Sequence, residues 1–145
     1  MDRSAMLKLW DESWTDGTWF GSWSKAMEGL DAEQAAWKPT AQTHSIWQIV
    51  NHVCFWREYT VRKLAGETID SAEVERHNFE EPGAKTSAAW AAARERLEAS
   101  HRALRAAMAD ESKEAERPLY HLVHDANHLG QILYIRQMQG LGTVM

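Results

Sequence analysis

The sequence predicts an all-α chain folded as a four-helix bundle with one long crossover connection. Two observations carry this. Apolar residues recur at helical spacing in four long stretches, and burying four such stripes together gives a bundle. No stretch alternates apolar and polar residues in the manner of a strand.

The elements follow in order. Residues 2 to about 16 read as a helix, with Met6, Leu7, Leu9, Trp10 and Trp14 mostly on one side and Asp2 or Ser4 as the cap. Gly17 interrupts it, and Asp16-Gly-Thr-Trp-Phe-Gly21 reads as a bend. A second piece runs from Ser22 to Glu28 and ends at Gly29. Asp31 and Gln34 stand at capping-box spacing and start a short turn to Trp37, which Pro39 stops.

The next long helix opens in Thr43-His-Ser-Ile-Trp-Gln48, with Thr43 and Ser45 competing as the cap. It should reach Leu64 or Ala65 and stop at Gly66. Its stripe is Ile46, Ile49, Val50, Val53, Trp56, Val61 and Leu64. Residues 66 to 85 show no sustained period and read as the crossover, pinned to the core by Phe79, with His77 at the loop surface. Thr86 caps a helix over 87 to 109, striped by Trp90, Ala93, Leu97, Leu104 and Met108. His101 fits an inward or an exposed position there equally well. The last helix should begin with Pro118 at its first position and run to about Gln139.

A chain of 145 residues fits a single domain over 1–145. The net charge of -5 and the absence of a Lys/Arg cluster speak against nucleic acid. No apolar run has the length of a membrane span, and the first residues lack signal-peptide features, so the expected location is the cytoplasm. The single cysteine, Cys54, excludes an internal disulfide framework and sits among Val53, Phe55 and Trp56 as a small buried hydrophobe. Six of the eight tryptophans fall in the first third of the chain. Tryptophans serve cores and interfaces, so a homodimer is expected beside the core.

The chemistry centres on His121, His124 and His128, at i, i+3 and i+7. Residues at these spacings share a helix face. Neutral imidazoles ligate zinc, nickel and similar divalent ions. The competing reading ties these histidines into ordinary hydrogen bonds. A site with three protein ligands leaves a position open for water or substrate. His124 and His128 supply two ligands. His52, on another helix, is preferred as the third over His121, because positions 121 and 128 lie about 10 Å apart along a helix. Gln48, one turn before His52, together with His121 and Gln131, is a candidate for the pocket or for supporting the ligands. Asn51 and Asn127 adjoin ligands in sequence but point about 100° away. His124-Asp-Ala-Asn-His128 differs from the zinc-protease pattern His-Glu-x-x-His by carrying the shorter Asp125, and no matching third ligand follows. No residue can be named as catalytic.

Ser45-Ile-Trp-Gln-Ile-Val-Asn-His52, followed far downstream by His124-Asp-Ala-x-His128-Leu-Gly-Gln-Ile132, resembles the DinB/YfiT-like superfamily. The early Gly-Thr-Trp-Phe-Gly segment, the Trp90 helix and the closing Arg136-x-x-x-Gly140 are similar too, so the resemblance covers nearly the whole chain. It implies a four-helix bundle of unusual connectivity, often dimeric, with a divalent metal on three histidines that map to His52, His124 and His128. Asn127 departs from it, since members often carry an aromatic residue there, and His121 is not a general feature. Some relatives are thiol-dependent transferases and others are described as metal-dependent hydrolases. The resemblance thus implies a small-molecule substrate and, for the first chemistry, a low-molecular-weight thiol cosubstrate. Two other readings stand beside the enzyme: a bundle binding metal for stability or sensing, and a dimeric scaffold without metal.

Overall fold

Caps and apolar stripes produce the expected long helices, and one element appears where none was expected. The computed structural model describes residues 2–142. Among them are seven helices and no strand: α1 (Arg3–Thr15), α2 (Trp23–Met27), α3 (Ala32–Ala36), α4 (Ile46–Leu64), α5 (Ser71–His77), α6 (Ser87–Ala109) and α7 (Glu116–Met138). No helix among the described residues is long and apolar enough to cross a membrane. The chain divides into two compact units, one of residues 1–29 with 105–145 and one of residues 30–104.

In the first unit Asp2 caps α1, its Oδ1 accepting from the Ala5 amide at 2.7 Å. Gly17 then takes φ +80°, and a Cβ there would lie 2.1 Å from the Phe20 carbonyl oxygen, so only glycine fits. Ser22 caps α2, with the Lys25 amide 3.3 Å from its hydroxyl. Met6, Trp10, Trp23, Met27, Met108, Leu129 and Ile132 are buried. The guanidinium of Arg136, also buried, donates to the carbonyls of Ala26 and Glu28 at 3.0 and 2.9 Å. It thereby ties the end of α2, where carbonyls lack helical partners, to α7. Arg105 grips Asp11 with two bonds of 2.6 and 2.8 Å.

In the second unit Asp31 and Gln34 form the expected capping box of α3. Ser45, not Thr43, caps α4, and Gln48 returns the bond in a capping box. Thr43 instead bonds with Thr40. The core is Ile46, Trp47, Ile49, Val50, Val53, Cys54, Phe55, Trp90 and Leu97. Trp90 donates its indole N–H to the Leu30 carbonyl at 2.9 Å, and its ring lies 5.2 Å from that of Trp47. Buried Arg57 donates to the Leu97 carbonyl at 3.1 Å.

Two expectations need correction. The connection over 66–85 is not structureless, because Asp70 caps α5 through the Glu73 amide. The helix has no buried residue and hence no apolar stripe to read. Second, α7 starts at Glu116, placing Pro118 third in the helix and not first. A missing N–H costs nothing there, since the first turn has no intrahelical acceptors for its amides. Of the six early tryptophans, Trp10, Trp23 and Trp47 are buried, Trp14 is half-buried, and Trp37 and Trp19 are exposed, Trp19 wholly so. His101 takes the inward alternative and is buried.

Candidate metal centre

About two turns of α7, from His121 to His128, gather a set of imidazoles around side-chain oxygens. His121, Asp125 and His128 are buried, and His124 is half-buried. Asp125 Oδ1 lies 2.8 Å from His124 Nδ1 and 3.5 Å from His121 Nδ1. His128 Nδ1 lies 2.8 Å from Gln131 Oε1. The His124 and His128 rings stand 4.6 Å apart between centroids, at 70°. An ionised carboxylate and an amide oxygen only accept hydrogen bonds. Nδ1 of His124 and of His128 is therefore the donor in these two bonds.

Gln131 thus supports His128 directly. His121 belongs to the same cluster through Asp125, its ring 5.7 Å from that of His124. His121, His124 and Asp125 each offer an atom within 4.8 Å of the others, so α7 carries on its own a group able to hold a divalent ion. Asn127 is exposed.

In the second unit His52 is buried on α4, and its Nδ1 lies 2.8 Å from Asn78 Oδ1. The same oxygen accepts the indole N–H of Trp56 at 2.8 Å. Indole nitrogen is a donor only, so the Asn78 atom is an acceptor. Nδ1 of His52 must then carry the proton. The ring stacks on Phe79 at 3.8 Å, and His44 stacks on Phe79 at 3.9 Å. Gln48 donates to the Phe79 carbonyl at 3.2 Å and Asn51 to the Glu80 carbonyl at 2.9 Å. The 78–80 segment is thereby clasped onto α4.

Gln48, one turn before His52, is buried on the same helix. Its carbonyl oxygen is committed to the Ser45 amide and its amide nitrogen to Phe79. It acts at one remove, by holding the segment that carries Asn78. Asn78 and Asp125 are the residues that sequence reasoning missed in a supporting role. Asn78 lies 26 positions from His52, with no motif to mark it. Asp125 was legible only as its neighbour's companion in His124-Asp-Ala-Asn-His128.

Two further residues are settled. His77 pairs with Glu80 at 2.9 Å and is half-buried at the end of α5, outside the ligand cluster. Cys54 is fully buried, and burial pushes its thiol up to about 11, which fits a packing role.

A family model described as the DinB superfamily matches residues 16–135. No curated protein and no solved structure matches the chain.

Proposed function

The chain belongs to the DinB superfamily, and we propose that it is a divalent-metal-dependent enzyme acting on a small molecule, of the thiol S-transferase or hydrolase type. His52, His124 and His128 are its metal ligands. The observation that carries this reading is the state of three imidazoles. Nδ1 of each is held by a side-chain oxygen, of Asn78, Asp125 and Gln131 respectively, the kind of outer hydrogen bond that orients a metal-ligating histidine. Zinc and nickel suit such a nitrogen set. Three protein ligands leave room for a further one. When bound, such an ion would lower the pKa of a thiol or a water brought to it.

The protein's own residues do the positioning. Asn78 and the Phe79 stack fix the plane of His52. Asp125, buried beside His124, favours the Nδ1–H tautomer and fixes the ring. A low-molecular-weight thiol is the proposed cosubstrate of the transferase form, since Cys54 is sealed in the core. A cytoplasmic location is part of the same proposal.

A homodimer is part of the proposal. Tyr120, Val123, Tyr134 and Met138 are exposed and fall on one face of α7, and Trp19 is exposed in the bend after α1. Sedimentation at two concentrations checks it: a mass of one chain at both would remove the dimer.

The enzyme reading is tested with tag-free protein loaded with zinc or nickel. It is incubated with low-molecular-weight thiols and an electrophile panel, and in parallel with ester and amide substrates. Turnover that disappears in His124→Ala supports the reading. Turnover that survives in His124→Ala, or no turnover on any substrate despite bound metal, overturns it in favour of a binding role.

A further inference from the structure

We propose that the first unit holds a second ligand site: a pocket for a compact apolar group that bears one hydrogen-bond donor, a hydroxyl or an amine. Its basis is a cavity of about 100 Å³ walled by α1, the bend over 17–21, α2 and α7. Protein interiors seldom leave voids larger than a water, whose share of the liquid is about 30 Å³. Apolar cavities of comparable size stay dry and take benzene-sized guests. Here Trp10, Trp23, Phe20 and Leu129 supply the apolar wall. His121 and Asp125 supply the polar end.

The bend is shaped for this wall. Trp19 takes φ +80°, an outlier for a bulky residue, yet its side chain is 99% exposed and packs nothing. The strained backbone instead brings its two neighbours, Thr18 and Phe20, to line the cavity. Strain of this kind concentrates at ligand sites. Gly17, with no space for a Cβ, permits the same tight path.

The polar end sets the ligand's chemistry. Asp125 is buried, and its carboxylate accepts hydrogen bonds without donating any. A guest reaching it must therefore present a donor. His124 does not line the cavity, but Asp125 Oδ1 also accepts from its ring, so the pocket and the candidate ligand share one carboxylate. The cavity stands independently of any bound metal.

The test uses the full chain stripped of metal with a chelator, and phenol as probe, with benzene as its donor-free counterpart. Methyl carbon-13 spectra are followed during titration. The expected result is saturable shifts confined to Leu9, Leu122, Ala126 and Leu129, with phenol bound at least about tenfold more tightly than benzene. Ala126→Leu, which fills the cavity, should abolish the shifts. If that variant does not fold, Ser13→Leu fills it from the opposite wall and should do the same. Absence of saturable shifts in the native chain overturns the pocket, as do shifts that persist in a folded cavity-filled variant. Benzene binding as tightly as phenol overturns the role given to Asp125. Because the protein is metal-free, neither failure bears on the metal reading.

Discussion

Replacing Asn78 by alanine removes one oxygen that serves two donors. His52 Nδ1 and Trp56 Nε1 each lie 2.8 Å from it. His52 is 6% exposed, so water does not replace the lost acceptor, and an unsatisfied buried donor costs about 1–3 kcal/mol. Trp56 is half-buried and regains a water, so its loss is closer to the net value of about 1 kcal/mol. The backbone role of Asn78 at the end of α5, an amide bond to Val74, survives in alanine. Together these give about 2–4 kcal/mol of lost stability, read as a lower urea midpoint with unchanged slope. Metal affinity should fall by about 10–100-fold, because His52 is then free to rotate and to change tautomer. Asn78→Asp keeps an acceptor for both donors and should retain most of the stability. A midpoint within error of the native protein, together with unchanged metal affinity, would refute the claim that Asn78 orients His52.

Arg136→Met deletes two bonds from a buried guanidinium, whose burial already lowers its pKa, to carbonyls at the end of α2. The expected loss is about 2–4 kcal/mol in urea unfolding, and Arg136→Lys, with its single ammonium, should recover part of it; a loss under about 0.5 kcal/mol would remove Arg136 as the clamp of α2. Cys54, pushed up to about 11, should be thiolate in about one molecule per thousand at pH 8, so a thiol reagent should label it only after denaturant is added. Fast labelling of the native protein would contradict its burial. His44 is held below its ordinary value, first by burial and second by the charge of Lys38. The unfolded ring takes up its proton near pH 6.5 and the folded ring only at lower pH, so stability is full above about 6.5 and falls as the pH drops below it. In His44→Gln the slope of stability against pH over that window should be shallower, and an unchanged slope would dismiss His44 as a contributor.

What was readable in the chain depended on how local the physics was. Helix α6 was legible to the residue because alanines, a regular stripe and the Thr86 cap all act within a few positions; the Ala89 amide does bond the Thr86 hydroxyl, at 3.1 Å. The capping boxes of α3 and α4 depend on residues three apart and were equally plain. Helix α5 was missed because it has a cap but no buried face, and a cap alone carries little weight without periodicity. At the site, His124 and His128 were visible from spacing. Gln131 was a candidate because it stands three positions on from His128, and the bond is there. Gln48 stands at a like spacing from His52, and its amide bonds the Ser45 amide and the Phe79 carbonyl. Asn78 was beyond reach, since its partner lies on another helix and no local rule pairs them. His121 was left without a role by spacing alone; its place depends on Asp125 and on the cavity behind it.

The proposed divalent ion would sit on the imidazoles of His52, His124 and His128. X-ray absorption of tag-free, zinc-loaded protein tests it most directly, with the same measurement on the three single alanine variants. The expected result is one ion per chain with three histidine nitrogens at about 2.0–2.1 Å, and a histidine lost from the shell in each variant. Affinity should weaken as the pH falls below about 6.5, where free imidazole takes up protons. A shell made of oxygen alone, or one that His52→Ala leaves unchanged, would contradict the account.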